Sequence, residues 1–267
     1  MSHPVERDED RALALAILEI ARRAGALIMK RYEQELDVMV KSDDSPVTIA
    51  DQEANDLIVE ALARLTPEIL IIAEESVDEH QQALDLTAQP FWLVDPLDGT
   101  KEFINRNGDF TVNIALIREG TPTLGVVYLP TTQVAYLTLS SSEAVRISAD
   151  DVHEPLRARA VDLDAPVVMV SRSHLSAETG EYLKRFAAPQ TCARGSSLKL
   201  CLIASGDADL YPRHGRTMEW DIASGHAVLS AAGGKVITLD GAPLTYGKAG
   251  FENPHFIAAG ITDQPLV

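Results

Sequence analysis

Cysteine, basic charge and long hydrophobic runs are all scarce in this chain, and each shortage excludes something. Cys192 and Cys201 are the only cysteines in 267 residues. Two cysteines cannot build a disulfide framework, so a reducing compartment is expected. Cys201 falls inside an apolar helical pattern and reads as a small buried hydrophobe. Lysine and arginine number 23 against 40 aspartates and glutamates, a net charge of −17. A nucleic-acid groove needs a basic stripe, so a nucleic-acid polymer is not an expected partner. A polyanionic small substrate would be repelled as well, unless metal ions and a local basic cluster reverse the sign at its site. No apolar run approaches the ~18 residues of a membrane span. Residues 1–10 are charged and carry no hydrophobic signal region, so a cytoplasmic location is expected. Internal repeats and low-complexity segments are also lacking.

What is present is the alternation of a globular α/β protein. Leu13, Ile17, Ile20, Ala24, Leu27 and Ile28 recur at three- and four-residue spacing and predict an amphipathic helix over 9–33. Lys41–Pro46 reads as a polar loop, and a second helix is predicted from near Asp51 to Leu65, with Pro67 soon after its end. Ile69–Ala73 and Phe91–Val94 read as buried strands. Thr111–Ile117, Thr123–Tyr128 and Val134–Leu139, separated by turn residues, predict an antiparallel meander. The charged stretch Asp150–Asp164 reads as a connection, placing an α+β first unit over 1–155 and an α/β second unit over 156–267. Within the second, strands are expected at Val167–Val170, Ala208–Tyr211 and Val236–Leu239, and helices at Ala177–Phe186, Ser196–Ala204 and Ile222–Ala232.

The chemistry is expected where acids meet the ends of these elements. Phe91-Trp92-Leu93-Val94 leads into Asp95-Pro96-Leu97-Asp98-Gly99-Thr100, so the chain leaves a sheet edge carrying two carboxylates and turns at a glycine. Two carboxylates ~4 Å apart repel by roughly 4 kcal/mol at an effective dielectric near 20. A divalent cation neutralises them economically, and hard oxygens suit Mg²⁺. A solvated surface turn is the plain alternative. The aspartyl-phosphate signature, Asp-x-Asp-Gly-Thr, fits poorly because the two aspartates here stand three apart rather than two. Glu74 ends the preceding strand, Asp51 opens the second helix and Asp221 starts the last one. Two-metal phosphoryl chemistry needs carboxylates from several separated segments. Taken singly, Asp51 and Asp221 are equally readable as helix caps, and Glu74 as a solvated strand end. If a helix begins near Asp98, the Gly99 and Thr100 N–H groups can hold a phosphate, and the Thr100 hydroxyl can align a water. His214 and His226 read as structural, since a metal-activated water needs no histidine base.

This set resembles the inositol monophosphatase superfamily of lithium-sensitive, Mg²⁺-dependent phosphatases. It comprises Asp51, Glu74-Glu75-Ser76, Asp95 to Thr100 and Trp220-Asp221. The continuation Lys101-Glu102-Phe103-Ile104 is similar to the 3′(2′),5′-bisphosphate nucleotidases of the bacterial CysQ type. So are Gly108 to Ala115, Gly195-Ser196-Ser197-Leu198-Lys199, Asp209 to Arg213 and Gly225-His226-Ala227. The resemblance implies a layered α/β/α/β/α sandwich. It implies that Glu74, Asp95 and the Leu97 carbonyl hold a first Mg²⁺, that Asp95, Asp98 and Asp221 hold a second, and that a weaker third leans on Glu74. Asp51, Thr100 and Glu74 would position the attacking water. The implied substrate is 3′-phosphoadenosine 5′-phosphate, a by-product of sulfate assimilation, cleaved to AMP and phosphate. Gly99, Thr100 and Asp221 would contact it, and Ser196, Ser197, Lys199, Arg213 and Arg216 are candidates for its second phosphate, although Arg216 is equally readable as a solvated surface residue. The same machinery on an inositol or sugar phosphate, and a catalytically silent nucleotide-binding regulator, are the competing readings. Homodimer and monomer stay open, and no basic amphipathic face supports the peripheral membrane association that the resemblance raises.

Overall fold

The computed structural model describes residues 4–34, 38–40, 46–172 and 176–267. Residues 41–45 of the expected polar loop lie outside that set. Helix α1 (Pro4–Tyr32) is followed by two short antiparallel strands, β1 (Val38–Val40) and β2 (Pro46–Thr48), and then by α2 (Ile49–Leu65). Ala14, Ile17, Ala21, Ala24 and Ile28 of α1 are fully buried, with Ala54, Ile58 and Leu62 of α2. The three- and four-residue spacing therefore lies on one face of each helix.

That face covers a seven-stranded sheet of β3 (Leu70–Ala73), β4 (Phe91–Asp98), β5 (Thr111–Arg118), β6 (Thr121–Leu129), β7 (Val134–Ser140), β8 (Glu143–Ile147) and β9 (His153–Pro155). The strands lie in chain order, with β3 and β4 parallel and each later neighbour antiparallel. The short helices α3 (Glu79–Gln82) and α4 (Thr100–Ile104) flank β4 in sequence. A five-stranded sheet follows, built from β10 (Val167–Ser171), β11 (Gln190–Arg194), β12 (Leu210–Arg213), β13 (Lys235–Thr238) and β14 (Phe256–Ala259). Its order is β11-β10-β12-β14-β13. Helices α5 (Ala177–Leu183), α6 (Leu198–Ala204) and α7 (Glu219–Ala231) alternate with these strands.

Strand periodicity shows how the layers stack, because successive side chains point to opposite faces. Trp92, Val94, Val112, Ile114 and Leu116 pack with α1 and α2. Phe91, Leu93, Ala115 and Ile117 pack the other way, in one core with Leu200 and Ile203 of α6 and Trp220, Ala223 and Val228 of α7. That core also takes Met169, Tyr211, Phe256 and Ala258 from the second sheet. The far face of that sheet, with Val168, Leu210, Ile257 and Ala259, is covered by Tyr182 of α5 and by Leu266. The result is a helix, sheet, helix, sheet, helix sandwich, as the resemblance implied. Helix α7 lies against the first sheet at Gly125, where a β-carbon would stand 2.5 Å from the Ser224 carbonyl oxygen and 2.9 Å from Ala227 Cβ.

Several expectations need correction. Strand β4 does not end at Val94 but runs through Asp98, and it is an inner strand between β3 and β5. The two aspartates therefore sit within a strand rather than beyond its edge. The second helix starts at Ile49, so Asp51 is its third residue and Thr48 its cap. Helix α7 starts at Glu219, three residues before the expected Ile222, and α6 starts at Leu198 because Ser196 adopts φ 47°. The expected connection Asp150–Asp164 contains β9. Strands β1, β2, β8, β11 and β14 were not foreseen.

Candidate active site

Strand pairing assembles the acids. Ala73 pairs with Val94 in the parallel β3–β4 ladder, and the Glu74 N–H donates to the Val94 carbonyl at 3.0 Å. Glu74 is thereby delivered beside Asp95. Asp95 pairs with Asn113 across the β4–β5 ladder, and Asp98 pairs with Thr111. Three residues on β4 thus span two on β5, which is a β-bulge. Residues three apart on a regular strand face opposite ways. The extra residue brings Asp95 and Asp98 onto one face, the face that meets α7. Pro96 lies within this irregularity, a position where a missing ladder donor is tolerated.

From the opposite side α7 presents Asp221, its third residue, whose Oδ2 accepts the Met218 N–H at 2.9 Å. Asp51 repeats this arrangement in α2, where its Oδ2 accepts the Thr48 N–H at 2.7 Å and the Thr48 hydroxyl at 2.6 Å. A carboxylate in the first turn of a helix is favoured by the unsatisfied N–H groups there. Capping therefore fixes these acids in place while leaving one oxygen of each for other work. Asp51 uses its second oxygen to accept the Thr100 hydroxyl proton at 3.1 Å.

Carboxylate oxygens of Glu74, Asp95 and Asp221 lie within 4.8 Å of one another. Asp98 stands next to this triad, and its Oδ2 accepts the Ser197 N–H at 2.6 Å and the Asn113 side-chain amide at 3.2 Å. Burial pushes the Asp95 carboxyl well above the usual range, and the charges of Glu74, Asp98, Asp221 and Glu75 push it further. Asp221 is raised by burial and then by Asp98 and Glu74. Asp98 rises to about 6, chiefly through burial, with Lys199 opposing. Like charges gathered out of water favour protonation unless a cation joins them. The donor set is all oxygen, comes from three separate segments and is crowded with negative charge, so it fits a hard divalent cation.

The basic side chains stand on the second sheet's side. Lys199 is 5% exposed; its ammonium donates to the carbonyls of Ser196 and Arg194 and lies 5.2 Å from the Tyr211 ring centroid. Burial first, then Arg213, lowers Lys199 to about 8, while Asp98 holds it up. Arg213 is buried and donates to the Arg216 carbonyl at 2.9 Å. Of the expected site residues, the structure gathers Glu74, Asp95, Asp98 and Asp221, sets Asp51 against Thr100, and brings Lys199 close to Asp98. The Leu97 carbonyl lies 3.4 Å from the Thr100 hydroxyl, and Gly99 caps α4. Ser197 directs its N–H to Asp98 and its hydroxyl to the Asp221 carbonyl, and Ser196 reaches Lys199 through its own carbonyl.

Sequence reasoning gave no role to Asn113, although a signal was available. It is a polar residue in the otherwise apolar run Val112-Asn113-Ile114-Ala115, it is 1% exposed, and it stands opposite Asp95. His226 is buried against the Tyr246 hydroxyl at 2.8 Å and lowered to about 3 by burial, in keeping with a structural role. Among the described residues, no helix is long and apolar enough to cross a membrane.

Comparison with known proteins gives concordant results. Residues 9–263 match the Inositol monophosphatase family. Over 249 residues the chain is 47% identical to the 3′(2′),5′-bisphosphate nucleotidase CysQ of Escherichia coli O6:H1, an alignment covering 90% of this chain and 96% of that protein. The crystal structure of CysQ from Bacteroides thetaiotaomicron, a bacterial member of the inositol monophosphatase family, matches with a TM-score of 0.80 and 35% identity. It covers 95% of this chain and 98% of that one. An inositol monophosphatase from Anabaena shares the fold at a TM-score of 0.72 and 24% identity, over 93% of this chain and 90% of the other.

Proposed function

The chain belongs to the inositol monophosphatase family, and from that membership we propose that it is a Mg²⁺-dependent 3′(2′),5′-bisphosphate nucleotidase that hydrolyses 3′-phosphoadenosine 5′-phosphate to AMP and phosphate. The observation that carries this reading is the triad Glu74, Asp95 and Asp221, with oxygens within 4.8 Å of one another. Beside it stands a threonine hydroxyl committed to a buried aspartate.

In this reading Glu74, Asp95 and the Leu97 carbonyl hold one magnesium ion, and Asp95, Asp98 and Asp221 a second. Bound there, magnesium supplies Lewis-acid stabilisation of the phosphoryl group and makes water acidic enough to attack near neutral pH. The chain's own residues orient the reactants. The Thr100 hydroxyl gives its proton to Asp51, so its lone pairs are left to accept a hydrogen bond from the attacking water. Asp51 is in turn fixed by Thr48, and burial raises it above the usual carboxylate range, which makes it a better acceptor for that proton. The Gly99 and Thr100 backbone and Asp221 face the transferred group. Lys199 and Arg213 would put positive charge, and Ser196 before the head of α6 a hydroxyl, on the side where the second phosphate would lie, while the donors of Ser197 are engaged by Asp98 and the Asp221 carbonyl.

Phosphate release from 3′-phosphoadenosine 5′-phosphate, inositol 1-phosphate and fructose 1,6-bisphosphate, measured side by side across a Mg²⁺ titration, tests the proposal. The adenosine bisphosphate should be preferred on kcat/KM. A preference of roughly tenfold or more for inositol 1-phosphate, equal to about 1.4 kcal/mol in the transition state, would overturn it.

A further inference from the structure

The acids of the site come from both sides of the sandwich, with Asp98 on a strand of the first sheet and Asp221 on a helix packed between the sheets. A chain of hydrogen bonds joins them. The Asn113 side-chain amide donates to Asp98 Oδ2 at 3.2 Å and to Ser197 Oγ at 3.1 Å. Ser197 Oγ, having accepted that proton, donates its own to the Asp221 carbonyl. The Ser197 N–H closes the loop on Asp98 Oδ2 at 2.6 Å. Both residues are 1% exposed. An amide nitrogen has two protons and a hydroxyl one, so these donors are all committed and the direction of each bond is fixed.

The turn that carries Ser197 is itself held from the first half of the chain. A β-carbon on Gly195 would stand 2.7 Å from Glu102 Cγ and 2.8 Å from the Asp109 carbonyl oxygen, so glycine is what allows the close approach. The Gly195 N–H points at Asp109 Oδ2 at 3.4 Å, and Asp109 is fixed by Arg172 at 2.6 Å. The Lys199 ammonium gathers the carbonyls of Arg194 and Ser196 from beneath.

We propose that Asn113 and Ser197 are positioning residues that set the separation of Asp98 from Asp221, and with it the affinity of the acidic cluster for a divalent cation. The inference rests on the reading of that cluster as a metal site. Groups that orient metal ligands typically change metal affinity by roughly 10–100-fold when removed. Ordinary packing residues between two layers would instead change stability and leave affinity alone.

Ser197→Ala and Asn113→Leu separate the two roles. Asn113 Oδ1 has no hydrogen-bond partner among the described residues, so leucine strands no donor by replacing it, and only Asp98 Oδ2 and Ser197 Oγ each lose one incoming hydrogen bond. Mn²⁺ would be titrated calorimetrically into the full-length parent, each variant and the double variant, with thermal unfolding followed without metal. Each single variant should bind Mn²⁺ roughly tenfold or more weakly. The double variant should be little weaker than the worse single one, because both act through one hydrogen-bond chain. Metal-free Tm should stay within about 8 °C of the parent, the shift expected for the two hydrogen bonds that each variant loses. Should Asn113→Leu fail to fold, Ser197→Ala alone decides. Parent-like Mn²⁺ affinity, within twofold, in the folded variants would overturn the inference while leaving the metal reading standing. No Mn²⁺ binding by the parent would overturn both.

Discussion

Asp95 is the residue on which the two proposed cation positions converge. It is 2% exposed, sits across the ladder from Asn113 and accepts the Leu97 N–H at 3.0 Å. Neighbouring carboxylates all raise it, so its charge destabilises the metal-free fold and is useful only once a cation arrives. Asp95→Asn should therefore lose magnesium-dependent turnover and the magnesium-induced rise in Tm. Its metal-free Tm near neutral pH should equal or exceed the parent's, because a buried charge has gone. Phosphate release and thermal unfolding check both halves, and near-normal turnover would remove Asp95 from its assigned place. Thr100 makes a different prediction because its hydroxyl is linked to Asp51 rather than to the acidic triad. Thr100→Ala should lower kcat by roughly 10²-fold or more, within the range for positioned proton-transfer groups, with Mn²⁺ affinity unchanged. Thr100→Ser, which keeps the hydroxyl, should recover most of the rate. Equal losses in the two variants would show that the methyl group, not the hydroxyl, matters.

At the scale of elements, the bulge in β4 and the seating of α7 decide whether these residues meet. The bulge turns Asp98 to the same face as Asp95, and α7 reaches that face only because position 125 lacks a side chain. Gly125→Ala should destabilise the protein by about 1–3 kcal/mol, the usual range for overpacking. It should also weaken Mn²⁺ binding by shifting Asp221, with urea denaturation and calorimetry as the measurements. Unchanged stability would mean that α7 is not seated as described. Periodicity read α1, α2 and the meander from the sequence because each buries a regular stripe. It gave no warning of β11, whose residues Gln190–Arg194 form a largely exposed edge strand without apolar alternation. The bulge was equally invisible, since Asp95 and Asp98 look like a turn until β5 is placed beside them. The capping acids were legible as acids at helix starts. The geometry adds that capping and site-building are done by the same two side chains.

Across the whole molecule a net charge of −17 surrounds a site whose proposed substrate is a phosphorylated anion. Lys199 and Arg213 offset part of the negative charge locally, and bound cations would supply the rest. Titration makes this testable. Asp98 ionises at 3.8 as a free side chain and at about 6 in the metal-free fold. Between those values the folded state holds a proton that the unfolded chain has released, so metal-free stability falls as pH rises through the window. A cation removes the penalty of the ionised form. The magnesium-induced rise in Tm should accordingly be small near pH 4.5 and larger near pH 7.5. An equal rise at both would contradict the coupling. The acids of the site were legible in the sequence as residue types at element ends. Their common face, the Asn113–Ser197 link and the burial of Lys199 were not, because each depends on two layers meeting. The most direct measurement of the central claim is anomalous diffraction from crystals of this protein grown with Mn²⁺. The account predicts a manganese peak among the carboxylates of Glu74, Asp95 and Asp221. Ordered carboxylates at saturating Mn²⁺ with no peak between them would contradict it.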